Sequence, residues 1–205
     1  RIVDHVEIPN TMLAGLAVEN VDGGVSENIE AVNLHMENVQ TPIFIKLGNR
    51  MSRLLSDEPA ALRNIRIANV RATSYSRMCS SITGWPGRAV ENVTLTNIRI
   101  STTGGTLASE FPVTVPECEE DYPENRMFGF TLPASGLWVR HVTGLVVENA
   151  GFGVRNPDAR PDVVLQDVSG AELSRFRNEA GSDAVTLRTD SCRWISCDRS
   201  LVLLH

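Results

Sequence analysis

Apolar side chains fall at every second position through much of this chain, and the alternating stretches come back as variants of one phrase. Asn28-Ile29-Glu30-Ala31-Val32-Asn33 returns as Asn64-Ile65-Arg66-Ile67-Ala68-Asn69 and again as Asn92-Val93-Thr94-Leu95-Thr96-Asn97; Asp162 to Asp167 reads as an Asp version. Period two is the signature of a half-buried strand, whereas a helix repeats near 3.6. The offsets between the Asn copies are 36 residues and then 28. A strand phrase repeated at variable spacing is what a β-solenoid produces, because each coil repeats its strands while a loop changes length.

A second series of strands runs in step with the first. Ile43 to Leu47 and Gly48 follow Asn28 by the same interval at which Cys79 to Gly84 follow Asn64, which places Gly48 and Gly84 at equivalent positions. Gly15 to Glu19 precede this series by about one coil, and Gly136 to Arg140 resemble it later. Each coil is expected to hold two or three short strands. The recurring Asn residues read as structural turn residues, whose stacked side chains satisfy backbone groups left open at a bend.

Two segments interrupt the winding. Residues 101–133 carry Gly104, Gly105, Pro112, Pro116, Pro123 and Pro133 with the acidic cluster Glu117, Glu119, Glu120, Asp121, and read as a long insertion able to wall a cleft. Arg50 to Leu62, with Asp57-Glu58-Pro59, is a second irregular stretch, with one helical turn at Ala60-Ala61-Leu62. Asp183 to Arg188 and Ser200 to Leu204 read as last strands, and Cys192 to Cys197 as a terminal cap. The expectation is a single all-β domain over residues 1–205.

Composition narrows the function classes. The chain is 42% hydrophobic, yet no apolar run reaches the roughly 18 residues of a membrane-spanning helix, so no membrane partner is expected. A net charge of −6 with scattered arginines gives no basic patch, which argues against nucleic acid. Lys46 is the only lysine. Cys79, Cys118, Cys192 and Cys197 lack a zinc-site pattern, so no metal or cofactor is expected. A small disulfide loop from Cys192 to Cys197 would suit a secreted or periplasmic protein; buried free thiols are the alternative. The chain opens at Arg1 without an initiator Met or signal-peptide pattern, as a mature form or a fragment would.

Several stretches together resemble a known family. They are Glu19-Asn20-Val21-Asp22-Gly23-Gly24 with Glu27-Asn28-Ile29, Thr41-Pro42-Ile43-Phe44-Ile45-Lys46-Leu47-Gly48-Asn49-Arg50, Ser80-Ser81-Ile82-Thr83-Gly84-Trp85-Pro86-Gly87, Glu91 to Leu95, Tyr122-Pro123-Glu124 with Met127-Phe128-Gly129, and Gly136 to Val142. Over about residues 15–170, in this order, the chain resembles bacterial members of glycoside hydrolase family 28, the polygalacturonase and rhamnogalacturonan hydrolase group. The resemblance implies a right-handed, single-stranded parallel β-helix of the pectin-lyase-like kind. For the intact enzyme it implies hydrolysis of galacturonate-containing pectic polysaccharide.

Family members also carry an Asn-Thr-Asp segment, an Asp-Asp pair, a Gly-His-Gly segment and an Arg-Ile-Lys segment. The first three are missing, and Ala17-Val18-Glu19 occupies the place of the fourth. Inverting hydrolysis needs a carboxylic acid for the leaving oxygen and a carboxylate to activate water. No residue of this chain is assigned to catalysis, and those carboxylates are expected in coils upstream. Asp4, Glu19 and Asp22 lie nearest such coils, but Asp22-Gly23-Gly24 reads as a turn. The Glu117 to Asp121 cluster reads as a solvated face. His35 and His141 read as ordinary strand residues.

Subsite binding is the role assigned within the chain. If Leu16, Val18, Ile43, Ile45 and Leu47 point inward, period two turns Glu19 and Lys46 outward as neighbours, with Trp138 and Arg140 on a later coil. That column, with Arg50 at a coil edge, suits an acidic plant polysaccharide: cations pair with uronate carboxylates and Trp offers an apolar face to a sugar ring. The alternatives are a plain surface ion pair for Glu19 and Lys46 and packing under the 101–133 loop for Trp138. A noncatalytic β-helix that binds acidic glycans or acts as an adhesin, and a pectate lyase-like enzyme, are the competing functions. The first coil lacks a polar cap, so an upstream β-helix segment or self-association is expected to cover it.

Overall fold

The computed structural model describes residues 2–50, 60–111, 113–181 and 184–204. Among them the regular elements are strands, apart from one 3-10 turn at Ala108–Glu110. In chain order they are β1 (Ile2–Pro9), β2 (Ala14–Asn20), β3 (Val25–Val39), β4 (Thr41–Leu47), β5 (Ala61–Ser74), β6 (Ser80–Thr83), β7 (Val90–Gly104), β8 (Leu137–Asn156), β9 (Val163–Ser174), β10 (Arg177–Asn178), β11 (Val185–Asp190), β12 (Arg193–Cys197) and β13 (Leu201–Leu204). Every pairing between these strands is parallel. One run of neighbours is β1-β3-β5-β7-β8-β9-β12, and another is β2-β4-β6-β8-β9-β11-β13. The long strands β8 and β9 belong to both because each turns a corner, at His141 and Asp167.

Those corners explain the recurring Asn. Asn28, Asn64, Asn92, Gly144, Gly170 and Trp194 occupy equivalent positions in successive strands and all have left-handed backbone, as do His5, Asn33, Asn69, Asn97, Asn149 and Arg175 in a second column. Left-handed backbone costs a typical L-residue roughly 1–2 kcal/mol and costs Asn least, because its short amide can bond locally. Here the amides bond along the column. Asn64 donates to Asn28 at 3.3 Å and Asn92 to Asn64 at 3.0 Å; in the second column Asn69 donates to Asn33 and Asn97 to Asn69, both at 2.9 Å.

The core between corners is the inward half of each alternation. Ile65, Val93 and Leu145 stack in one file, and Ile45, Ile82, Val139 and Leu165 in another, all at most 1% exposed. Each such side chain contributes about 1.5–3 kcal/mol by leaving water. A second, smaller cluster lies on the other face of β4, β6, β8 and β9. It comprises Phe44, Cys79, Val115, Phe128, Leu132, Ala134, Trp138 and Val164.

Several sequence expectations need correction. The Asp162 to Asp167 stretch is out of register with the Asn phrase: Asp167 shares its corner with His141 and Ser191, while Gly144 and Asn149 continue the phrase. Gly84 stands opposite Leu47 rather than Gly48, since Lys46 pairs with Thr83. β4 and β6 thus pair one residue away from the expected register, and a shift of one residue exchanges the two faces, which turns Cys79 into the second cluster. No helical turn occupies 60–62, because β5 starts at Ala61 and pairs there with Val25; Asp57-Glu58-Pro59 lies outside the described residues. Cys192 to Cys197 is mainly strand β12 on β9, and the four cysteines are free, with Cys79 buried. The insertion begins only after Gly104, where β7 ends.

An internal ion pair secures the insertion at both ends. The Arg160 guanidinium grips Asp158 through Nε (2.9 Å) and Nη2 (2.8 Å), and donates to the Leu132 and Arg77 carbonyls; Asp158 accepts from the Thr106 amide. These side chains are 0% and 2% exposed. Burial works to raise the Asp158 carboxyl, but the Arg160 hydrogen bonds outweigh it and hold the group below the usual carboxylate value.

Candidate functional site

The register sets the expected column in two parallel files. Ala17, Phe44, Ser81, Trp138 and Val164 form one, and Glu19, Lys46, Thr83, Arg140 and Gln166 the other. All lie on the face away from the main core, as period two requires. The insertion decides which of them meet solvent.

Its middle lies over β4, β6 and β8. Lys46 is 0% exposed and its Nζ donates to the Glu117 carbonyl at 3.1 Å, with the ammonium over the Phe128 ring. Arg140 is buried too, giving Nη1 to the Val115 carbonyl (2.8 Å) and Nη2 to that of Pro116 (2.7 Å). Trp138 is fully buried against Phe128, edge to face, and its indole N–H reaches Gln166 at 2.7 Å. These three side chains point outward from the sheet but hold the insertion in place, so they do not front a ligand in this structure. Burial, with the nearby Arg140 charge second, pushes the Lys46 ammonium down to about 8.

His141, read from sequence as an ordinary strand residue, has two carboxylate neighbours. Its Nδ1 lies 2.7 Å from Asp167 and its Nε2 3.0 Å from Glu117, and Glu117 also faces Arg140 at 3.3 Å. Glu117 is therefore engaged, not part of a solvated face. The second carboxylate comes from the neighbouring strand's corner, which no local pattern announces.

The open chemistry lies where the insertion meets the first strands. Glu19, Asp22, Arg50 and Tyr122 line a crevice of about 300 Å³. Asp22 and Arg50 form a two-pronged pair, Nε to Oδ1 at 2.8 Å and Nη2 to Oδ2 at 2.6 Å. The guanidinium also sits over the Tyr122 ring, 5.1 Å from its centroid. The Asn49 amide binds the Glu119 carbonyl at 2.5 Å, and the Arg50 amide binds the Val21 carbonyl at 2.7 Å. Gly48 permits this approach, because a Cβ there would meet Val21 at 2.7 Å and Glu119 at 3.0 Å. The Asp22-Gly23-Gly24 turn expected from sequence has positive φ at both glycines.

The two carboxyls of the crevice shift in opposite directions. The Arg50 hydrogen bonds hold Asp22 below its ordinary value, whereas partial burial raises that of Glu19. Glu19 also lines a larger cleft of about 630 Å³ with Leu16, Val18, Val25 and Ile29, where β1 and β2 leave one edge unpaired. Of the expected binding residues, Glu19 and Arg50 share this crevice, and Lys46, Trp138 and Arg140 do not. The sequence marks Tyr122 only as part of the Tyr122-Pro123-Glu124 stretch. Among the described residues no cluster of His, Cys, Asp and Glu is arranged to hold a metal ion. Comparison of the chain with protein-family profiles, with curated proteins and with solved structures returns no match.

Proposed function

We propose that the chain is part of a glycoside hydrolase acting on pectic, galacturonate-containing polysaccharide, folded as a right-handed parallel β-helix related to the polygalacturonase group. In this reading the crevice of Glu19, Asp22, Arg50 and Tyr122 binds the acidic chain, and the acid and base of inverting hydrolysis come from coils preceding β1. The observation that carries it is Arg50, fixed by Asp22 and stacked on an exposed tyrosine. Asp22 engages Nε and Nη2, and the planar guanidinium has a further N–H pair to offer a uronate carboxylate. The tyrosine supplies an apolar ring beside it for a sugar face. The parallel register and the unpaired edge of β1 and β2 support the stacking of another coil there.

Titration with tetragalacturonate, followed by calorimetry, tests the site. Arg50→Ala should weaken binding at least tenfold, about 1.4 kcal/mol, while the chain alone releases no new reducing ends from polygalacturonate. Equal affinity in the variant removes the crevice reading; reducing ends released at enzymatic rates, and lost in Glu19→Gln, move catalysis into the chain. The Asp22–Arg50 pair also favours a second reading, a noncatalytic module that binds acidic glycans, because it leaves the crevice one carboxylate short of an acid-base pair.

The open end makes a separate prediction. Ile2, Met12, Leu13 and Val25 are exposed there, beside unpaired strand edges. We expect the purified chain to associate as its concentration rises, through this end, unless a preceding coil covers it. Light scattering reads the mass, and Val25→Lys should restore the monomer; a concentration-independent monomer opposes the idea.

A further inference from the structure

Another cavity lies far from the crevice and shares no residue with it. It is a groove of about 490 Å³ across β7, β8, β9 and β12, at the first column of left-handed corners. The column's amides end at Asn92, which gives its Nδ2 to Asn64; the next two corners are Gly144 and Gly170, so the file of side chains stops and leaves a recess. The column ends in Trp194, opposite Gly170 in register, with φ 54° and 78% of its surface exposed.

The corner itself sets the backbone of Trp194, but an indole left in water forgoes the burial that makes Trp worth placing, and this one stands beside a recess. Among the described residues no hydrogen bond is donated to Asn92 Oδ1, and Thr94, Val146, Glu172 and Ser196 follow one another in register along the groove. We infer that this groove binds a neutral pyranose residue of an oligosaccharide, its C–H face on the Trp194 indole and its hydroxyls donating to Glu172 and Asn92. Sugar rings have one apolar face and a rim of hydroxyls, which matches an aromatic plate flanked by acceptors. The Glu172 carboxylate selects against a uronate, whose like charge it repels.

The test follows the Trp194 indole N–H by NMR, assigned by its loss in Trp194→Ala, while xylotetraose, cellotetraose, galactotetraose and, for comparison, tetragalacturonate are added. At least one neutral tetraose should shift this resonance saturably. Trp194→Ala should lower its calorimetric affinity tenfold or more. Gly170→Asn refills the recess with a residue that accepts left-handed backbone; the nearest atom to its Cβ would be 3.9 Å away, so the fold should persist and binding should fall by a similar factor. Arg50→Ala should leave this binding unchanged, which separates the result from the fate of the crevice. The inference is overturned if no neutral tetraose shifts the indole, if tetragalacturonate shifts the indole at as low a concentration as the neutral sugars do, or if a well-folded Gly170→Asn protein keeps its affinity for them.

Discussion

Arg160→Ala is expected to destabilise the protein by about 3–5 kcal/mol, measured by urea unfolding at neutral pH, because it strands the Asp158 carboxylate in the interior. The two side chains are 0% and 2% exposed, so water cannot replace the lost partner without opening the structure. The same change also frees the Leu132 and Arg77 carbonyls. The double variant Arg160→Met, Asp158→Leu removes both charges and should recover much of the loss, since a buried pair is costly to break but not costly to replace. A single variant that unfolds within 1 kcal/mol of the parent would show that the pair is more hydrated than its burial indicates.

Lys46→Met should remove a pH dependence. In the folded protein the ammonium titrates at about 8 instead of 10.5. Below pH 8 both folded and unfolded chains hold the proton. Between about 8 and 10.5 the unfolded chain holds a proton that the folded one has released, so the contribution of Lys46 to stability rises with pH across that window. Integrated, the rise is about 3 kcal/mol. The methionine variant keeps the packing against Phe128 without the charge, and should be more stable than the parent at pH 7 while lacking this component at pH 10. Parallel curves for the two proteins between pH 7 and 10 would place the ammonium in contact with solvent.

The strands were legible because alternation at Ile65-Arg66-Ile67 or Val93-Thr94-Leu95 reports directly on a half-buried sheet. Corners were legible only where the residue is itself a left-handed specialist. Asn28, Asn64 and Asn92 announce their column, whereas His5, His141, Arg175 and Trp194 adopt the same backbone through tertiary context and carry no local mark. Parity placed Lys46, Trp138 and Arg140 on the outward side, yet it cannot tell what lies over a strand. The Glu117, Val115 and Pro116 carbonyls that cover them come from more than twenty residues away in sequence. The crevice was half legible for the same reason: Arg50 and Glu19 carry charge that invites notice, while the Tyr122 ring reaches them only through the path of the insertion.

The amide columns have a direction. In the second one each Nδ2 points back toward the earlier strand, from Asn149 to Asn97, Asn69 and Asn33, so the side-chain dipoles add along the stack as peptide dipoles add along a helix. A carboxylate occupies the donor end, where Asn33 gives its amide to Asp4 at 2.8 Å, and that hydrogen bond is the leading cause of the lowered Asp4 pKa. Guanidinium groups occupy the acceptor end, Arg99 at 2.8 Å and Arg177 at 3.1 Å from Asn149 Oδ1. The column is thus a polar wire terminated by an anion and two cations, and replacing Asn69 by an apolar residue would not merely delete two bonds but divide the wire, exposing a bare acceptor on one fragment and a bare donor on the other.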